Sequence, residues 1–104
     1  MKKMLAHRLL KVMAAIHLSR HAQVRCAQRG IDEWLIMMVL AYGRAEYDHR
    51  GGRRCFLGRA EKRRVSREHP DIMRRYGRKL DLVVVMPAKG EQTVVTAYVR
   101  SRGH

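Results

Sequence analysis

Cysteine is scarce in this chain, acidic side chains are few, and no long apolar run occurs. The two cysteines among 104 residues, Cys26 and Cys55, have no C-x-x-C pair and no Cys/His cluster beside them, so no metal site is expected. Basic neighbours can lower a thiol pKa, but neither cysteine stands in a nucleophile motif. Both are expected to be small buried apolar residues in a reducing compartment. No apolar stretch approaches the roughly 18 residues of a membrane span. The N-terminal M-K-K-M-L-A-H-R-L-L-K-V-M-A-A-I-H begins like an export signal, yet His7, Arg8 and Lys11 interrupt it. A cytoplasmic chain with no membrane partner is the expectation. Nor is there an internal repeat or a low-complexity linker, so residues 1–104 are expected to form a single domain with one modest core.

What is present in excess is positive charge. Lys and Arg number 23 against 9 acidic residues, a formal +14. That exceeds what solubility requires and points to a polyanionic partner, nucleic acid first. Residues 53–104 carry 14 of the basic and 5 of the acidic side chains, so most of the excess lies in the second half. Arginine dominates over lysine, which favours bidentate phosphate contacts and base stacking.

The periodicity predicts an amphipathic first helix over 1–17, with Leu5, Leu9, Val12, Met13 and Ile16 on one stripe. It packs on the domain or, less simply, lies on a membrane surface. A second helix spans 20–29, and Asp32 is the expected N-cap of a third over 33–42. The segment E-W-L-I-M-M-V-L-A-Y is apolar nearly all round, which places it at the centre of the core. After Gly43 the pattern changes to two short strands about Gly51-Gly52. A basic segment, 59–78, breaks at His69-Pro70 and holds a short helix over Asp71–Tyr76. The clearest strands, 80–86 and 93–99, are joined by a short turn at Lys89-Gly90 and should pair as an antiparallel hairpin. Strand alternation puts Val95, Ala97 and Val99 on one face and Thr96, Tyr98 and Arg100 on the other.

The densest signal is S-R-H-A-Q-V-R-C-A-Q-R-G-I, residues 19–31. Ser19 is a good N-cap and Gly30 a good left-handed terminator. Between them His21, Arg25 and Arg29 fall at i, i+4 and i+8, in one row. Ala22 and Cys26 form a second, apolar row. An imidazole and two guanidiniums along a rigid helix suit phosphate binding and proton transfer; a solvated basic face has the same spacing.

The arrangement S-x-H-A-x-x-R-x-x-x-R-G-I, a hydrophobic helix ending in glycine, and strands ending V-V-T-A-Y resembles a bacterial domain family of unknown function, over about 18–99. Its hallmarks are the H-A…R…R-G-I helix and a terminal T-x-Y strand. That family is similar to RelE-like and BrnT-like toxins, of the barnase–EndoU–colicin–RelE type. The resemblance implies an α+β fold, with N-terminal helices packed on a small antiparallel sheet spanning 18–100. It also implies a metal-independent endoribonuclease without a cofactor, acting on mRNA or tRNA as a toxin and neutralised by an acidic antitoxin. Its matched site residues are His21, Arg25, Arg29, Thr96 and Tyr98. The cations expected to hold RNA phosphates are Arg53, Arg54, Arg59, Lys62, Arg63, Arg64, Arg67 and Arg100. The alternative is a non-catalytic RNA- or DNA-binding module that uses the same basic face.

Overall fold

The computed structural model describes residues 10–89 and 92–100. Of the expected first helix, residues 10–15 (α1) are helical and residues 1–9 lie outside the described part. Val12 and Ile16 pack on the core as expected, whereas Met13 of the same stripe is exposed. The helix stops short of residue 17 because His17–Leu18 (β1) pairs in parallel with Thr93–Val94 (β5).

Helix α2 (Arg20–Arg29) has the limits its caps dictate. The Ala22 N–H donates to Ser19 Oγ at 3.0 Å, and Gly30 closes the helix at φ 65°. Helix α3 (Glu33–Tyr42) is the centre of the core, with Leu35, Ile36, Met38 and Val39 almost fully buried. Burying such side chains contributes roughly 1.5–3 kcal/mol each, which is why the most apolar segment takes this position. Asp32 does occupy the N-cap position, but its side chain makes no capping bond; its backbone carbonyl accepts from Leu35 N and Ile36 N. Trp34, at the start of α3, meets Tyr76 edge-on with centroids 4.8 Å apart, so it serves packing.

Strands β2 (Arg44–Tyr47) and β3 (Gly52–Phe56) form the expected hairpin with a longer turn than two glycines would make. Asp48 Oδ1 accepts from Arg50 N and Gly52 N, both at 2.8 Å, and builds the turn itself. Gly51 supplies the positive φ, 82°. These two N–H donors hold the Asp48 carboxyl below its ordinary pKa. The basic segment then proves helical: α4 (Arg59–Glu68), α5 (Pro70–Tyr76) and a 3-10 turn over Arg78–Leu80.

Strand β4 (Leu82–Pro87) pairs antiparallel with β6 (Thr96–Val99), as the two β-branched runs predict. A continuous strand over 93–99 does not form. Val95 N donates to Val85 O at 2.8 Å while Thr96 is the register partner of Val85. Two residues therefore stand opposite one, which is a β-bulge. Beyond it β5 leaves the sheet to meet β1. The bulge breaks the alternation expected from sequence at Val95, which is 42% exposed; Ala97 is buried as expected, and Val99, the last residue of the strand, is 59% exposed. Val94, on the far side of the bulge, takes the inward place instead.

The four-stranded antiparallel sheet runs β2-β3-β4-β6, so β6 is an edge. Helix α3 lies on β3 and β4, and α2 lies on β6. Cys55, Val84, Met86 and Ala97 face these helices and join one core with Ala22, Cys26 and Leu35. The fold is α+β, with helices covering one face of a small antiparallel sheet. Phe56 and Val83 are buried without joining that core. The opposite face is roofed by cations instead: Arg100 lies 4.7 Å and Arg44 5.1 Å from the Phe56 ring centroid.

Candidate functional site

The site is set by how α2 meets the edge strand. Ala22 and Cys26 are 0% and 3% exposed, so the small-residue row of α2 is turned into the core. That commits the adjoining row of His21, Arg25 and Arg29 to the rim. The first turn of α2 is tied to the bulge, with Ser19 N donating to Val94 O at 3.0 Å and Ser19 Oγ to Val95 O at 3.4 Å. Its last turn is tied to the strand, with Arg29 Nη1 donating to Ala97 O at 2.6 Å. The helix thus runs in the same direction as β6, at the edge of the sheet and not over its middle.

Arg29 lands between the two strand residues matched by the resemblance. Ala97 is flanked by Thr96 and Tyr98, whose register partners Val85 and Val83 place them on the face away from the helices. Thr96 is half-buried and Tyr98 is 36% exposed. His21 and Arg25 are exposed on the helix rim. Among the described residues no hydrogen bond or ion pair joins His21 or Arg25 to Thr96 or Tyr98. The backbone between Thr96 and Tyr98 and the end of the His21 row are brought together; the imidazole and the phenol are not bonded to each other. One Arg29 N–H is engaged by Ala97, and a guanidinium has five, so Arg29 retains donors for an anion.

The expected phosphate-binding cations divide into three groups. Arg59, Arg63 and Arg67 form an exposed row on α4, and Arg54 is exposed on the sheet face that carries Thr96 and Tyr98. Arg100 is held over Phe56 on that same face. Lys62 and Arg64 are already paired, with Asp81 and with Glu68. Arg53 is drawn inward, its Nη2 within 3.5 Å of Met86 Sδ and Gln92 Oε1 and its Nε buried without a partner in the described structure. Sequence reasoning passed over Arg74, Arg75, Arg78 and Lys79, which line a groove of about 520 Å³. The run R-R-Y-G-R-K was the available signal.

Both thiols are free and buried, and burial pushes both pKa values up. A raised pKa disfavours the nucleophilic thiolate, so Cys26 and Cys55 are packing residues, in agreement with the reading from composition. Among the described residues no helix is long and apolar enough to cross a membrane.

Comparison with curated proteins and with solved structures gives no match to either. One family model does match, over residues 18–99, the span that carries the capped α2 motif, the hydrophobic α3 and the T-x-Y strand. On that match the chain belongs to the DUF4258 family, a domain of unknown function.

Proposed function

We propose that this protein is a metal-independent endoribonuclease of the RelE-like and BrnT-like toxin type, acting on mRNA or tRNA in the cytoplasm and restrained by an acidic antitoxin. The observation that carries the reading is the Arg29 bond to Ala97 O, which anchors the His21 row on the strand segment between Thr96 and Tyr98. RNA cleavage without a metal needs a base for the ribose 2′-OH, an acid for the leaving 5′-oxygen, and cations for the charge on the phosphorane-like transition state. The 2′-oxygen attacks phosphorus, the bond to the 5′-oxygen breaks, and a 2′,3′-cyclic phosphate and a 5′-hydroxyl result. His21 is the group for proton transfer, since an imidazole can accept a proton on one ring nitrogen and donate one from the other. Arg25 and the free donors of Arg29 hold the phosphate. Thr96 supplies a hydroxyl donor, and Tyr98 donates a proton or stacks on a base.

A second reading, a non-catalytic RNA- or DNA-binding module, is favoured by one observation. His21 has no hydrogen-bond partner among the described residues to orient its ring, and a general base is ordinarily oriented by a neighbour. One experiment separates the two. Purified protein is incubated with total RNA in EDTA, beside His21→Ala. The enzyme reading expects cleavage by the wild type, falling ~10²–10⁴-fold in the variant while RNA binding changes little. Binding without cleavage by either protein leaves the module reading.

A further inference from the structure

We propose that the groove between α4 and the α5–3-10 segment is a second phosphate site, which takes the phosphates of an RNA strand extending past the α2–β6 rim. The proposal rests on RNA being the partner, but not on catalysis. The groove of about 520 Å³ is lined by Lys62, Arg74, Arg75, Arg78, Lys79 and Asp81. Its volume lies within the range of ligand-binding clefts, about 300–1,000 Å³. Two of its cations are satisfied internally: Lys62 pairs with Asp81, and Arg74 with Asp71. Arg75, Arg78 and Lys79 have no acidic partner among the described residues, and all are exposed. Unpaired like charges converging on one concavity repel one another unless an anion lies between them, and a concave wall lets several cations reach the same anion. Two of the three are arginines, whose fork matches phosphate oxygens in pairs.

Position argues for RNA as the occupant instead of a small free anion. Asp81, on the groove wall, accepts the Arg100 N–H on its backbone carbonyl at 2.7 Å. Arg100 is two residues beyond Tyr98, so the C-terminal end of β6 leads from the candidate active site to the groove rim. Arg100 itself lies on the exposed sheet face above Phe56, between the two. A single strand whose base stacks at Tyr98 therefore meets Arg100 and then Arg75, Arg78 and Lys79, and the acidic group on that path, Asp81, is paired with Lys62.

The test compares the wild type with the triple variant Arg75→Ala, Arg78→Ala, Lys79→Ala. Fluorescence anisotropy follows single-stranded RNA of ~4 and ~20 nucleotides across a salt series. Three phosphate contacts at ~0.7 each predict that the slope of log K against log salt falls by about 2 for the long RNA, which is about 100-fold in affinity at 0.1 M salt. The short RNA, confined to the α2–β6 rim, should bind the variant within about threefold of the wild type. Unchanged slope and affinity for the long RNA overturn the proposal. So does tripolyphosphate that binds the groove without being displaced by long RNA. His21→Ala serves as the second arm and should keep the wild-type slope. A wild type that binds long RNA through the groove yet never cleaves it removes the nuclease reading and keeps this one. A triple variant that cleaves and binds long RNA like the wild type does the reverse. A thermal melt by circular dichroism checks that the variant is folded.

Discussion

Helices α2 and α4 carry the same device in different surroundings. Each presents basic side chains at i, i+4 and i+8: His21, Arg25 and Arg29 on one, Arg59, Arg63 and Arg67 on the other. Helix α2 begins on a serine cap, turns Ala22 and Cys26 fully inward, and ends with Arg29 bonded to the edge strand. Helix α4 begins on a glycine, buries only Val65, and its row faces solvent. The off-row cations of α4 are the ones engaged, Lys62 with Asp81 and Arg64 with Glu68. The spacing is equal, so spacing does not make a site. A row becomes a candidate site when a second element carrying different chemistry is fastened beside it, and of these two rows it is the α2 row that has such a neighbour, in β6.

The comparison breaks most visibly in kinetics. On the proposed mechanism, replacing Arg25 and Arg29 by alanine should lower single-turnover cleavage at saturating RNA by at least ~10²-fold, because that mechanism assigns their charge to the developing phosphorane. Replacing Arg59, Arg63 and Arg67 should leave that rate within about threefold and instead weaken binding by about 100-fold at 0.1 M salt. Equal losses of rate from the α2 double variant and the α4 triple variant would show that α4 also touches the reacting phosphate.

Stability should separate the helices next. Val65 is the sole buried side chain of α4 and is fully covered, so Val65→Ala should cost about 2 kcal/mol in urea unfolding, through lost transfer energy and a cavity. Cys26→Ala, which removes one sulfur from a helix held at both ends by hydrogen bonds, should cost less. A reversed order would mean that the small-residue face of α2, not its caps, holds it in place.

The smallest effects lie in the caps and the turn. Ser19→Ala should cost about 1 kcal/mol. The start of α4 is closed differently: Glu61 Oε1 accepts from Gly58 N at 2.8 Å, and glycine has no side chain to return the bond. Glu61→Ala should therefore cost less than Ser19→Ala. For the β2–β3 turn, the Asp48 carboxyl is held below its ordinary pKa by the Gly52 and Arg50 N–H groups. A depressed folded pKa means stability that is present above the unfolded value of ~3.9 and is lost as pH falls through the folded pKa. An acid titration of Asp48→Asn should lack that component, and an identical profile for both proteins would show that the turn does not depend on the charge.

Much of this was legible along the chain. Ser19 and Gly30 gave the limits of α2 because caps are local chemistry, and the all-round apolar 33–42 segment had no stable place except the core. The β4–β6 pairing followed from two β-branched runs with a short connection. The strand faces were not legible, because the bulge at Val95 moves the inward position from Val95 to Val94, and no residue type announces a bulge. The engagement of Lys62 and Arg53 was hidden for a related reason, since their partners Asp81 and Gln92 become neighbours only on folding, whereas Arg64 and Glu68 stand four apart on one helix, a spacing the sequence already carries.

The sequence by itself determined the helix ends, the identity of the central helix, the charge excess and the placing of His21, Arg25 and Arg29 in one row, since each depends on groups within a turn or two of one another or on composition. Only the tertiary structure decided that this row is fastened at the edge of the sheet beside Thr96 and Tyr98, and that Arg75, Arg78 and Lys79 share a groove. Those outcomes depend on which small side chains can pack most closely against β6 and on where the chain turns after α4. Both are settled by the whole core at once and not by any local stretch.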